Sequence, residues 1–167
     1  GIEVGGKIWR RLAPVLYLGF LPTLILLASL FQGVRQPGSD IYRQYDQTLA
    51  FQAISIDAVP GSNVVCAFST GNALPAWAPV RVMVGHGPES VHLPEYQEQV
   101  RRFYCGEISV DEALEWLSVS QIKYIILGPA ESDLCGNAEP IYPRQLPGLN
   151  PWKTFGDYLV YKVPVQP

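Results

Sequence analysis

Ile122-Lys-Tyr-Ile-Ile-Leu-Gly-Pro-Ala-Glu131 (IKYIILGPAE) reads as a buried strand that runs straight into a turn. Branched and aromatic residues at Ile122, Tyr124, Ile125 and Ile126 suit a packed pleated surface, and Gly128-Pro129 cannot continue it. Just upstream, Ser109-Val-Asp-Glu112 has the spacing of a capping box, in which the serine oxygen accepts from the third helical amide and the glutamate reaches back to the cap. Val110, Ala113, Leu114 and Leu117 then give that helix one apolar face. A helix followed at once by an apolar strand is half of an α/β unit, and the rest of the chain extends the pattern. Pro94 opens an earlier helix with Tyr96, Val100, Phe103 and Tyr104 as its stripe, closed by Gly106. Val80–Val84 and Asn63–Phe68 are predicted strands, and the small-residue segment from Ser69 to Pro79 between them is predicted as a loop with one helical turn at most. A first helix is capped by Ser39 or Asp40, carries Tyr42, Tyr45, Leu49, Ala53 and Ile56 at helical spacing, and ends before Pro60-Gly61. After a loop from Pro129 to Pro151, Lys153–Phe155 and Tyr158–Val163 form a terminal hairpin around Gly156-Asp157. The expected fold class is α/β: a small three-layer-like domain with a largely parallel sheet, because helical crossovers impose parallel pairing, and a C-terminal β-hairpin.

The amino-terminal part has a different character. Leu12 to Val34 contains no ionisable side chain, and at about 1.5 Å per residue it is long enough for a hydrocarbon core of about 30 Å. It exceeds the apolar core of a cleaved signal peptide, and no small-x-small cleavage site follows. Lys7, Arg10 and Arg11 crowd its first end, whereas Arg35 and Arg43 on the other side are diluted by Asp40 and Asp46. The richer basic flank belongs in the cytoplasm. The expected organisation is therefore a cytoplasmic flank at 1–11, a transmembrane helix at 12–34, a linker at 35–39 and an extracytoplasmic domain at 40–167. The chain starts at Gly1, without an initiator methionine, so further sequence is expected upstream.

Charge narrows the partners. Charged residues make up 16% of the chain, against about a quarter in average soluble proteins. From Leu12 onward 9 basic residues (12 less Lys7, Arg10 and Arg11) face 14 acidic ones (15 less Glu3), a net charge of −5. That balance excludes the basic stripe of a nucleic-acid binder. No P-loop, dinucleotide glycine fingerprint or nucleophile elbow is present either.

Polar residues worth singling out lie where predicted strands end. Gly85-His86-Gly87-Pro88-Glu89-Ser90 places His86 and Glu89 at the carboxyl edge of the sheet, and Glu131 leaves the next strand end in the same way; open α/β sheets bind ligands at that edge. An imidazole with two carboxylates suits general acid-base work, holding a cation or binding a substrate, although turn and capping roles call for the same residue types, and the spacing matches no known metal motif. Ser69-Thr70-Gly71-Asn72 ends the first strand as a turn. Cys66 lies inside an apolar strand and reads as core. Cys105 and Cys135, on a helix end and a loop, are expected as free thiols ahead of a disulfide, which an outward-facing domain would permit.

These motifs in sequence, a strand ending GHGPES, a helix with RRFY, SVDEALEWL and IKYIILGPAE, resemble the carboxyl-terminal region of bacterial polytopic membrane proteins of the GT-C glycosyltransferase type. The resemblance covers most of Tyr42 to Val163. It implies sugar transfer from a polyprenyl-phosphate donor to a glycan or protein acceptor at the outer face of the cell membrane, with membrane lipid as the standing partner. In that class the catalytic carboxylate lies in an early outer loop, upstream of this sequence. The resemblance implies no cofactor held by this chain, with any divalent metal belonging to the upstream part. The alternative is a single-span anchored binding or scaffolding module without catalysis.

Overall fold

The structure is a computed structural model and describes residues 19–32, 43–85 and 92–164. Residues 19–32 are helical, with Phe20, Leu24, Leu27 and Phe31 among the exposed side chains. The remainder of the predicted 12–34 span lies outside the described residues. Among the described residues no helix is long and apolar enough to cross a membrane.

Gln44–Pro167 is a separate compact unit. Its elements in chain order are α1 (Tyr45–Asp57), β1 (Ser62–Val65), α2 (Phe68–Ala73), β2 (Val80–Val82), α3 (Leu93–Tyr104), α4 (Val110–Val119), β3 (Ile122–Leu127), α5 (Pro129–Ser132), β4 (Pro151–Phe155) and β5 (Tyr158–Lys162). The sheet order is β2-β1-β3-β5-β4. β1 pairs in parallel with β2 and β3, whereas β5 runs antiparallel to both β3 and β4. The expected largely parallel sheet is thus a mixed one. The reason is the hairpin: its second strand, not its first, lies beside β3, so two helical crossovers give parallel pairs and one tight turn reverses the other half.

Successive strand residues alternate between two cores. Val64, Cys66, Tyr124, Ile126 and Val160 pack with Ala50, Phe51 and Ile54 of α1 and with Leu74. Val65, Ile125, Leu127 and Tyr161 pack with Val100, Phe103 and Tyr104 of α3 and Ala113 and Leu117 of α4. Three layers result, helices covering both sheet faces, as the apolar runs of β1 and β3 require. α4 starts on the predicted capping box: Ser109 Oγ accepts from the Glu112 amide at 3.2 Å and the Glu112 carboxylate accepts from the Ser109 amide at 2.8 Å.

Three local expectations change. α1 begins after Gln44, which makes no side-chain cap, and the proposed caps Ser39 and Asp40 lie outside the described residues. Its buried face is Gln47, Ala50, Phe51, Ala53 and Ile54, while Tyr45 and Ile56 are exposed. Phe51 and Ile54 pack against the sheet in place of the stripe through Tyr45, Leu49 and Ile56, because tertiary packing chooses which apolar positions of the helix are buried. Finally, Phe68 belongs to a helix rather than to β1, and α2 with the 3₁₀ turn Leu74–Ala76 replaces the predicted loop. Leu74 supplies the reason: it is fully buried and anchors that crossover against the sheet.

Candidate functional site

The order β2-β1-β3 reverses direction at β1, since the crossover through α2 leads one way and that through α3 and α4 leads the other. The carboxyl ends of β1 and β3 therefore flank the position where open α/β sheets leave a crevice for ligands. Here the chain fills it. Glu131, in the first turn of α5, is fully buried. One carboxylate oxygen accepts from the Ala67 amide just past β1 at 2.8 Å, and the other accepts from the Gly128 amide just past β3 at 3.0 Å. A single side chain thus closes the seam between the two central strands.

Two further groups share this seam. The Tyr104 hydroxyl reaches down from α3 to the Ile126 carbonyl at 2.5 Å and the Val65 carbonyl at 3.2 Å. The Thr70 hydroxyl is buried and lacks a partner at full hydrogen-bond geometry, though it faces Glu131. Burial pushes the Glu131 carboxyl above its usual range, opposed by Thr70 and by the Ala67 and Gly128 amides. Burial likewise raises Cys66 and Tyr104 well above their ordinary values, and the neighbouring carboxylate adds to both. Cys66 is a buried thiol packed in the α1-side core, as its apolar context predicts.

The edge around this plug is braced from outside. Cys105, at the end of α3, is disulfide-bonded to Cys135, just beyond α5. The expected free thiols are corrected by position: α3 and the turn after β3 end beside one another, with Cα atoms 5.4 Å apart, a proximity that spacing alone does not reveal. At the other side of β3 a cavity of about 400 Å³ opens, lined by Gly128, Ser132, Arg144, Asp157 and Leu159 among others. Arg144 also ion-pairs with Glu139 at 3.3 Å. Sequence reasoning passed over Arg144, which a long loop carries to this edge, and read Asp157 only as a residue of the hairpin turn. Among the described residues no group of three His, Cys, Asp or Glu side chains is placed to hold a metal ion.

His86 and Glu89 lie outside the described residues. The root of their segment is described: Gly85 packs on Gly71, where a Cβ would come 1.9 Å from the Val84 carbonyl oxygen, so only glycine allows α2 and the end of the β2 segment to touch. Gly71 and Gly85 are thus brought together, and Glu131 sits at the neighbouring strand ends.

A solved domain has this fold. The C-terminal globular domain of an oligosaccharyltransferase from Archaeoglobus fulgidus matches with a TM-score of 0.54, covering 74% of this chain and 99% of that one, at 12% sequence identity. At that identity the likeness concerns the fold alone. It comes from an archaeal protein, so a specifically bacterial family gains no support from it. No protein-family model matches the chain, and no curated protein matches it.

Proposed function

We propose that this chain supplies the extracytoplasmic domain of a GT-C-like membrane glycosyltransferase, one that takes sugars from a polyprenyl-phosphate carrier. The observation carrying this reading is the fold, shared with the C-terminal domain of an oligosaccharyltransferase. Two others support it. The disulfide suits an oxidising compartment. The helical stretch at 19–32 has no charged side chain and is mostly apolar, with Thr23, Ser29 and Gln32 as its polar residues, a composition that suits a lipid surrounding.

In this reading the bond-breaking carboxylate comes from an upstream membrane part, and the carboxyl edge of the sheet contacts the acceptor. Arg144 and Asp157 offer charge and hydrogen bonds in an open cavity, and His86 and Glu89, which follow β2 in the sequence, are the further candidates. Glu131 acts by position: with both oxygens committed to backbone amides it fixes the floor on which those groups stand.

Sugar transfer in membranes containing the whole protein tests the proposal. Arg144→Ala and His86→Ala are expected to lower transfer at least tenfold, about 1.4 kcal/mol of transition-state or substrate binding, with thermal midpoint and protein level unchanged. Transfer at the wild-type rate in both variants would overturn the binding edge. A protein that transfers no sugar from any polyprenyl-phosphate donor would leave the anchored scaffold as the better reading.

A further inference from the structure

The edge of the sheet opposite Glu131 has the reverse character. Gln44–Pro167 carries 7 basic residues (12 less Lys7, Arg10, Arg11, Arg35 and Arg43) and 13 acidic ones (15 less Glu3 and Asp40), so a net charge of −6. Against that background Lys123, Lys153 and Lys162, the only lysines among the described residues, all lie toward the amino-terminal edge, at the start of β3, the start of β4 and the end of β5. Asp46, Asp133 and Asp157 lie at the other end, in the first turn of α1, after β3 and in the β4–β5 turn. The lysines thus gather at one end of the strands, with Asp57 paired to Lys162 there, while Arg144 accompanies Asp157 at the other end.

The lysine edge is also greasy. Ile56, Val59 and Val119 are 86%, 73% and 76% exposed there, at the ends of α1 and α4. Trp152 sits between two ammonium groups, Lys153 Nζ at 4.5 Å and Lys162 Nζ at 5.5 Å from its ring centre. Asp57 fixes this arrangement by accepting from Lys162 at 2.6 Å and from Tyr124 at 2.5 Å. Between Val59 and the two lysines Lys123 and Lys162 opens a cavity of about 440 Å³ whose other polar walls are Ser62, Asn63, Gln121, Tyr124 and the Asp57 carboxylate that pairs with Lys162.

We propose that this edge docks on the anionic phospholipid headgroups of a bilayer, with lipid phosphates at Lys123, Lys153 and Lys162 and with Ile56, Val59 and Val119 entering the interfacial layer. Each part of the surface suits one layer of that partner. Lysines meet phosphate, tryptophan beside lysine belongs at headgroup depth, and isolated aliphatic tips gain by leaving water. A polyanion in solution would match the lysines and leave the three aliphatic side chains in water. The inference rests on the membrane reading above and adds which edge of the domain meets the lipid.

The test uses the whole chain in nanodiscs of phosphatidylcholine, with or without phosphatidylglycerol, and reads amide hydrogen exchange at residues 56–62 and 118–123. Phosphatidylglycerol is expected to slow exchange there by about fivefold, the equivalent of one lysine at an anionic surface. Lys123→Glu with Lys153→Glu, and separately Val59→Asp, should restore the rate seen in phosphatidylcholine, while the thermal midpoint stays near wild type. Equal exchange in both discs overturns the proposal. So does equal slowing by inorganic phosphate without lipid, which would indicate a site for the free anion. Alkaline carbonate extraction of the same chain from vesicles reads the membrane span separately. A chain that is extracted but still floats with phosphatidylglycerol vesicles would sink the span and keep the docking edge.

Discussion

The two edges of the sheet handle their polar groups in opposite ways. At the carboxyl edge, a buried carboxylate satisfies the amides of Ala67 and Gly128, a tyrosine hydroxyl caps strand carbonyls, and a disulfide braces the outside. At the amino edge, Lys153 and Trp152 meet solvent and one aspartate binds Lys162 on the surface. The contrast teaches where energy is stored. A buried group whose partners have no alternative in water is costly to remove, whereas an exposed pair exchanges its partners for water at little cost.

The largest expected effect is therefore at Glu131. Glu131→Ala strands two buried amides at about 1 to 3 kcal/mol each and should destabilise the protein by about 4 kcal/mol in denaturant melts. A loss below about 1 kcal/mol would mean the seam relaxes and is no plug. The sign of its pH dependence sharpens the point. Because burial lifts this carboxyl above its unfolded value, its contribution is greatest below the ordinary carboxylate range and is lost as pH rises through the raised value. The stability of wild type relative to Glu131→Gln should therefore fall as pH rises from the ordinary carboxylate range through the raised value. A difference that grows with pH would show that the hydrogen bonds outweigh desolvation.

Next comes the brace. Cys105→Ala with Cys135→Ala removes a crosslink across 30 residues and should cost about 2 to 4 kcal/mol, measured under non-reducing conditions against the same variant set in reductant. Wild type and variant should coincide once reduced; a remaining gap would assign the loss to packing. The smallest effect is expected at the amino edge. Asp57→Asn breaks a surface pair and should cost at most about 1 kcal/mol. The hydrogen bonds from Lys162 and then Tyr124 depress the Asp57 carboxyl, so its contribution is present at neutral pH and is lost as pH falls through the depressed value. A cost at Asp57 rivalling that at Glu131 would erase the distinction between the edges.

Much of the frame was legible beforehand. β3 falls on the predicted Ile122–Leu127, α4 starts at the predicted box, and Val100, Phe103 and Tyr104 face the core as their spacing requires. Such features depend on residues close in sequence. The face of α1 was misread because Tyr45 and Ile56 are as apolar by type as Phe51 and Ile54, and only the shape of the sheet chooses between them. Arg144 escaped notice because the path of the loop after β3 sets its place.

The sequence by itself determined the α/β alternation, the terminal hairpin and the uncharged amino-terminal run, all written in local periodicity, caps and turn residues. Only the tertiary structure decided that the hairpin enters the sheet by its second strand, that Cys105 meets Cys135, and that Glu131 turns inward to the amides of two strands. Each of those depends on which segments distant in the chain end side by side. No local pattern encodes that, because it follows from how two helical layers and one sheet bury their apolar faces together.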